Sequence, residues 1–155
     1  MQHNTSLGNT FLFRYMISLD LSYLTIPFEA CNSLCYMINP ILSGYCPLEN
    51  LNLSRTKYEN YELYAVVLYT STSTRRLGYK GCQRVFEALA GNISLKELYI
   101  CGNKFTDRAI PALVNFLRNA DNSLVSLGIS HNDITAQGSA SLLHALSMLY
   151  CPIIV

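Results

Sequence analysis

Hydrophobic and polar positions along this chain follow two rhythms in turn. In LKELYICGN, Leu95 to Asn103, Leu98 and Ile100 alternate with Tyr99, the period of two shown by a short strand with one buried face. Beyond Asn103 the apolar positions fall at Ala109, Leu113, Phe116, Leu117 and Ala120, which is helical spacing. Both rhythms return 29 residues later in LVSLGISHN, Leu124 to Asn132. Leu95, Leu98, Ile100, Asn103 and Phe105 fall on Leu124, Leu127, Ile129, Asn132 and Ile134, Ala109 falls on Gly138, and Leu113 falls on Leu142. Each unit therefore reads as strand, turn and helix. Successive units place their strands in parallel, with the helices outside. Asn103 and Asn132 stand where the chain leaves the strand, and a short amide there can satisfy turn backbone groups that would otherwise be buried unpaired. Pro111 is tolerated only in a first helical turn, so the spacing predicts a helix starting near Ile110.

Two earlier copies are looser. Leu48, Leu51 and Leu53 restart the motif, with Thr56 in the Asn slot and Tyr58 closing it. Met16, Leu19, Leu21 and Ile26 form the first copy, followed by Ala30, Leu34 and Ile38 at the helical offsets. There Leu24 takes the Asn slot and cannot make an amide's hydrogen bonds, so that turn must differ or be solvated. The expected organisation is an N-terminal flank, 1–15, and about four repeats: 16–47, 48–94, 95–123 and 124–152, the last segment truncated. The unit from Leu48 is longer than the rest because of an insert near 58–77; its helical half resumes at Gly81, Val85 and Leu89. The insert is Tyr-rich and apolar, then Ser/Thr-rich and basic. It reads as a protruding partner-binding or phosphorylated loop, as a tolerated surface insertion, or as sequence foreign to the native coding frame. Tolerance is favoured, since long surface loops cost little extra free energy.

Composition narrows the function classes. A length of 155 residues is one domain, half of it apolar and 14% charged, which argues for a folded core. The net charge of +1 supplies no broad cationic field for nucleic acid or an anionic membrane. No apolar run reaches the length of a membrane span, and the start lacks the pattern of a signal peptide. The six cysteines (Cys31, Cys35, Cys46, Cys82, Cys101 and Cys151) contain no C-x-x-C pair and read as reduced, mostly buried thiols. Cys31 and Cys35 can share a helix face, but zinc would need two further ligands; no metal and no cofactor is expected. Sequons at Asn4, Asn52 and Asn92 match what chance gives in this composition, and a cytoplasmic location is expected.

The stretch from Met16 to Leu149 resembles the leucine-rich repeats of the ribonuclease-inhibitor type. The resemblance is carried chiefly by LKELYICGNKFTDRAIPALVNFL and LVSLGISHNDITAQGSASLLHAL, with Asn103 and Asn132 at the family's Asn and Ala109 and Gly138 at its small helical residue. FEALAGNISLKELYI is similar to repeats of NOD-like receptors. The resemblance implies an α/β leucine-rich repeat solenoid, a horseshoe segment with a parallel sheet on the concave face and helices on the convex face. It also implies that the concave face grips another protein. By register, four rows of side chains should point into the concavity: Ser18, Asn50, Glu97 and Ser126; Asp20, Asn52, Tyr99 and Gly128; Ser22, Ser54, Cys101 and Ser130; Tyr23, Arg55, Gly102 and His131. Folding is expected to leave these rows free to vary. The candidate partner-binding residues are Asp20, Tyr23, Asn50, Asn52, Arg55, Glu97, Tyr99, Ser126 and His131, with Tyr23, Tyr99 and Arg55 as anchors.

Nothing points to catalysis. Phosphate-binding glycine loops, H-E-x-x-H and G-x-S-x-G are all absent from the sequence. His131 stands beside Ser130, but no orienting acid or oxyanion hole accompanies them. The expected function is a non-catalytic scaffold or adaptor module that binds a protein partner. The alternative is a fragment of the regulatory repeat domain of a larger signalling protein, of NOD-like receptor or GTPase-activating type. Solenoids need polar end caps, and FLFRYM and CPIIV are apolar, so a piece of a longer array is expected, with self-association through uncapped ends.

Overall fold

The computed structural model describes residues 15–44, 46–59, 76–119 and 123–148. The flank before residue 15, the middle of the insert (60–75), Ala120, Cys151 and the CPIIV end lie outside the described residues. The chain runs β1 (Ser18–Asp20), β2 (Thr25–Pro27), α1 (Phe28–Ile38), α2 (Pro40–Ser43), β3 (Asn50–Asn52) and β4 (Lys57–Glu59). It continues with α3 (Gly78–Leu89), β5 (Glu97–Tyr99), a 3-10 turn (Asp107–Ala109), α4 (Ile110–Asn119), β6 (Ser126–Gly128) and α5 (Ala136–Ser147). β1, β3, β5 and β6 form a four-stranded parallel sheet in chain order, with Leu19, Leu51, Leu98 and Leu127 in register across it. The fold is thus mixed α/β with a parallel sheet. A second, two-stranded parallel sheet pairs β2 with β4; the sequence pattern gave no sign of it.

The pattern of alternation explains which side of the sheet is covered. Leu51, Leu98 and Leu127 are buried, while the residues flanking them in each strand are half-buried on the opposite face. On the covered side α1, α3, α4 and α5 pack against one another in chain order. Their buried stripes are Cys31, Leu34 and Ile38; Gly81, Cys82, Val85, Phe86 and Leu89; Ile110, Leu113, Phe116 and Leu117; Gly138, Leu142 and Ala145. Apart from the two glycines and Ala145, they form one continuous core with the leucines. α4 starts at Ile110 as Pro111 requires, entered through the 3-10 turn. Among the described residues no helix is long and apolar enough to cross a membrane.

Ala30 departs from its expected role and is exposed; Cys31 carries the burial instead. The reason is visible in the fourth unit. A Cβ at Gly138 would lie 2.1 Å from Asp107 Oδ1, so the small helical residue packs against the unit before it. Among the described residues, nothing precedes the first unit to cover Ala30. The ends of the insert join the fold. Backbone at Tyr58 and Glu59 belongs to β4, Leu77 is buried in the core, and the Arg76 guanidinium donates to the Arg55 carbonyl.

The Asp107 carboxylate accepts from the Thr135 backbone N–H at 2.8 Å and from the Thr135 hydroxyl, which holds its pKa below the ordinary 3.8. A depressed carboxyl pKa contributes stability above the unfolded value and loses it as pH falls through the folded one. Between about pH 5 and pH 3 the wild type is therefore expected to lose more stability than Asp107→Asn. Urea midpoints at the two pH values check this, and equal losses would refute it.

Candidate functional site

β1, β3 and β5 each contribute two outward side chains to the open face, Ser18 and Asp20, Asn50 and Asn52, then Glu97 and Tyr99; β6 contributes one, Ser126, with Gly128 at the second position. Strand pairing brings the first two rows of the sequence reading together as drawn. Beyond the third residue each strand ends, so the third and fourth rows lie on the turn and not on the strand face.

The outward residues of the second row do structural work. Asp20 Oδ1 accepts from Ser22 N at 2.8 Å, and Asn52 Oδ1 from Ser54 N at 3.0 Å, so each closes its own strand-to-turn corner. Asn52 Nδ2 then donates to Asp20 Oδ2 at 3.1 Å, linking neighbouring strands. These bonds, those from Ser22 first, hold the Asp20 carboxyl below its ordinary pKa. Ser54 Oγ accepts from Cys101 N at 3.2 Å. The Tyr99 ring lies over Gly128, where a Cβ would come within 2.6 Å of Cδ1, and its hydroxyl is 3.2 Å from Ser126 Oγ. Gly128 is thus the socket of Tyr99.

The first row is different. Ser18, Asn50 and Glu97 make no side-chain hydrogen bond or ion pair among the described residues. With Asp20, Asn52 and Tyr99 they border a hollow of about 330 Å3, floored by Leu19 and Leu51.

The fourth row overturns the expectation that folding leaves it free. Tyr23, Arg55, Gly102 and His131 all have left-handed backbone, at φ 62°, 55°, 65° and 58°. Glycine fits that conformation without strain; bulky side chains are rare there. Three of the four positions carry one regardless. Arg55 stacks its guanidinium over Tyr23, 5.6 Å from the ring centroid, and its stem crosses Gly102, where a Cβ would approach Arg55 Cγ to 2.8 Å. His131 Nδ1 lies 3.2 Å from Ser130 Oγ, and all three large side chains are exposed.

The Asn slots build the frame under the site. Asn103 Nδ2 donates to the Leu53 carbonyl at 2.7 Å and to Ile100 at 3.2 Å; Asn132 Nδ2 donates to Ile100 at 3.1 Å and to Ile129 at 2.8 Å. Asn132 Oδ1 also accepts from Asn103 N at 2.9 Å. Thr56 is buried in the same slot, its hydroxyl 2.8 Å from the Leu53 carbonyl and 3.1 Å from that of Leu21. Leu24, in the first copy, is exposed, as a side chain unable to bond in that slot would be; Thr56 reaches the Leu21 carbonyl in its stead. Sequence reasoning missed Asn92, which is buried and accepts from Ser94 N and Leu95 N, both at 2.9 Å, to set the entry into β5. Its signal was an Asn three residues before a motif leucine, which the sequon reading obscured.

Cys31, Cys46 and Cys82 are buried, and Cys35 and Cys101 are half-buried. Burial pushes the Cys82 thiol well above its ordinary pKa, and the hydrogen bond with Cys31 does the same for Cys35, with burial adding to it. Among the described residues no group of three or more His, Cys, Asp or Glu side chains could hold a metal. No protein-family model matches the sequence, and no curated protein is significantly similar to it.

Proposed function

We propose that this chain is a segment of leucine-rich repeat solenoid of the ribonuclease-inhibitor type that binds another protein, without catalysis, through the sheet's open face. In this reading the open face is concave and the helices form the convex side. The observation that carries it is the unspent chemistry of that face. Ser18, Asn50 and Glu97 contribute no side-chain bond among the described residues. Tyr23, Arg55 and His131 stand at left-handed positions where glycine would be less strained. The fold sets left-handed backbone at this position in every unit, and bulky side chains kept there motivate a functional reading. Tyr and Arg are also the usual anchors of protein interfaces.

The test is crosslinked capture from cells, comparing the wild type with the double variant Arg55→Ala, Tyr99→Ala and with the helix-side control Arg118→Ala. One protein should be captured equally by wild type and control, and by the double variant about tenfold less or weaker. Capture that survives the double variant, or that depends on Arg118, would overturn the reading. So would chemical turnover of the captured protein.

A further inference from the structure

The hollow between β1, β3 and β5 has an acidic character. Both charged residues bordering it, Asp20 and Glu97, are acidic, in a chain whose net charge is +1. The nearby cation in sequence, Lys96, points away and pairs with Glu49 at 3.0 Å. Asp20 is occupied by Ser22 and Asn52, whereas the carboxylate of Glu97 and the amide of Asn50 have no partner among the described residues. A half-buried carboxylate facing a polar hollow without a cation is one half of a recognition pair. Tyr99, held by its hydroxyl on Ser126 and its ring over Gly128, supplies a fixed aromatic wall beside it.

We infer that this hollow receives an arginine side chain carried by an extended segment of the partner protein. The inference rests on the binding reading above and names the chemistry recognised. Arginine fits better than lysine because its planar fork can bridge both oxygens of Glu97, donate onward to Asn50 Oδ1 and stack against Tyr99. An acidic segment would meet like charge at Asp20 and Glu97, and an apolar one would strand their hydrogen-bonding capacity. The open face continues past the hollow to β6, where Ser126 pairs in register with Glu97.

The test uses the whole chain and pools of octapeptides with one fixed position, the others randomised over uncharged residues. The fixed residue is arginine, its neutral isostere citrulline, lysine, aspartate or leucine. The arginine pool should bind about tenfold tighter than the citrulline pool, the scale of one charge-assisted hydrogen bond. Glu97→Gln, which removes no bond among the described residues, should abolish that preference with an unchanged circular dichroism spectrum. Glu49→Gln should leave it intact. Equal binding of the arginine and citrulline pools, a preference that survives Glu97→Gln, or silence from every pool would each overturn the inference. Wild-type binding of the leucine or aspartate pool, lost in the Arg55→Ala, Tyr99→Ala variant, would leave the interaction module standing and remove only its arginine specificity.

Discussion

Replacing Phe86 with alanine is expected to lower the stability of this protein by about 3–5 kcal/mol. Phe86 is fully buried on α3, and its ring meets that of Phe105 edge-on, with centroids 5.8 Å apart and planes at 86°. Phe105 lies beyond the turn of the next unit, so one aromatic pair fastens the helix of one unit to the loop of its neighbour. Alanine removes the transferred surface, leaves a cavity that rigid flanking strands cannot close, and forfeits the edge-to-face contact, worth about 0.5–1.5 kcal/mol by itself. Against a typical total of about 5–15 kcal/mol, such a loss brings a single domain close to unfolding. Urea denaturation of the wild type and of Phe86→Ala measures it. A loss below about 1 kcal/mol would mean that the core between these units is not packed as described.

The second large effect lies at Asn103. Its amide, buried at 0% exposure, donates to the carbonyls of Leu53, Ile100 and Cys101 at 2.7, 3.2 and 3.4 Å. Asn103→Ala removes three bonds worth about 0.5–1.5 kcal/mol each. Every carbonyl keeps another donor: Thr56 on Leu53, Asn132 on Ile100 and the Arg55 N–H on Cys101. A total of about 2 kcal/mol is expected, moderated because Asn103 Oδ1 is itself buried and unpartnered among the described residues. Asn103→Thr should recover about half of the loss, since one hydroxyl proton serves one carbonyl at a time. Thr56 already does this in the preceding unit. Thermal or urea unfolding of the two variants distinguishes the outcomes. If alanine and threonine are equally damaging, the slot is sensitive to shape and not to its hydrogen bonds.

The α/β class, the parallel sheet and the leucine register were legible because burial imposes periods of two and 3.6 that survive as letters in the sequence. Leu51, Leu98 and Leu127 could be aligned without any structure, and Pro111 marked the start of α4 by geometry alone. What escaped detection was set by backbone conformation or by neighbours remote in sequence. The left-handed positions betray themselves only at Gly102, because Tyr23 and Arg55 carry side chains that such backbone disfavours and His131 is a single, weak signal. The β2–β4 pairing depends on two short segments with no alternation long enough to read. Ala30 looked like a core residue because its offset was right, but burial also requires a preceding unit. At the candidate site, the first two rows followed from register. That Asn52 and Tyr99 are partly engaged, while Asn50 and Glu97 have no side-chain partner among the described residues, could be learned only from the side-chain contacts.

The slot residues also give the structure a direction. Thr56 reaches back to Leu21, Asn103 to Leu53, and Asn132 to Ile100. In every case the later unit seals a carbonyl of the earlier one, and Asn132 Oδ1 in turn takes the N–H of Asn103. As a one-dimensional chain of coupled elements, the domain is therefore not symmetric end for end. A defect in one slot is felt by the unit before it, as an edge whose last row of latches has been undone. Growth by adding a unit at the β6 side would supply a fresh latch for the Ile129 carbonyl, whereas a unit added before β1 would have to rely on Leu24, a side chain with nothing to reach back with.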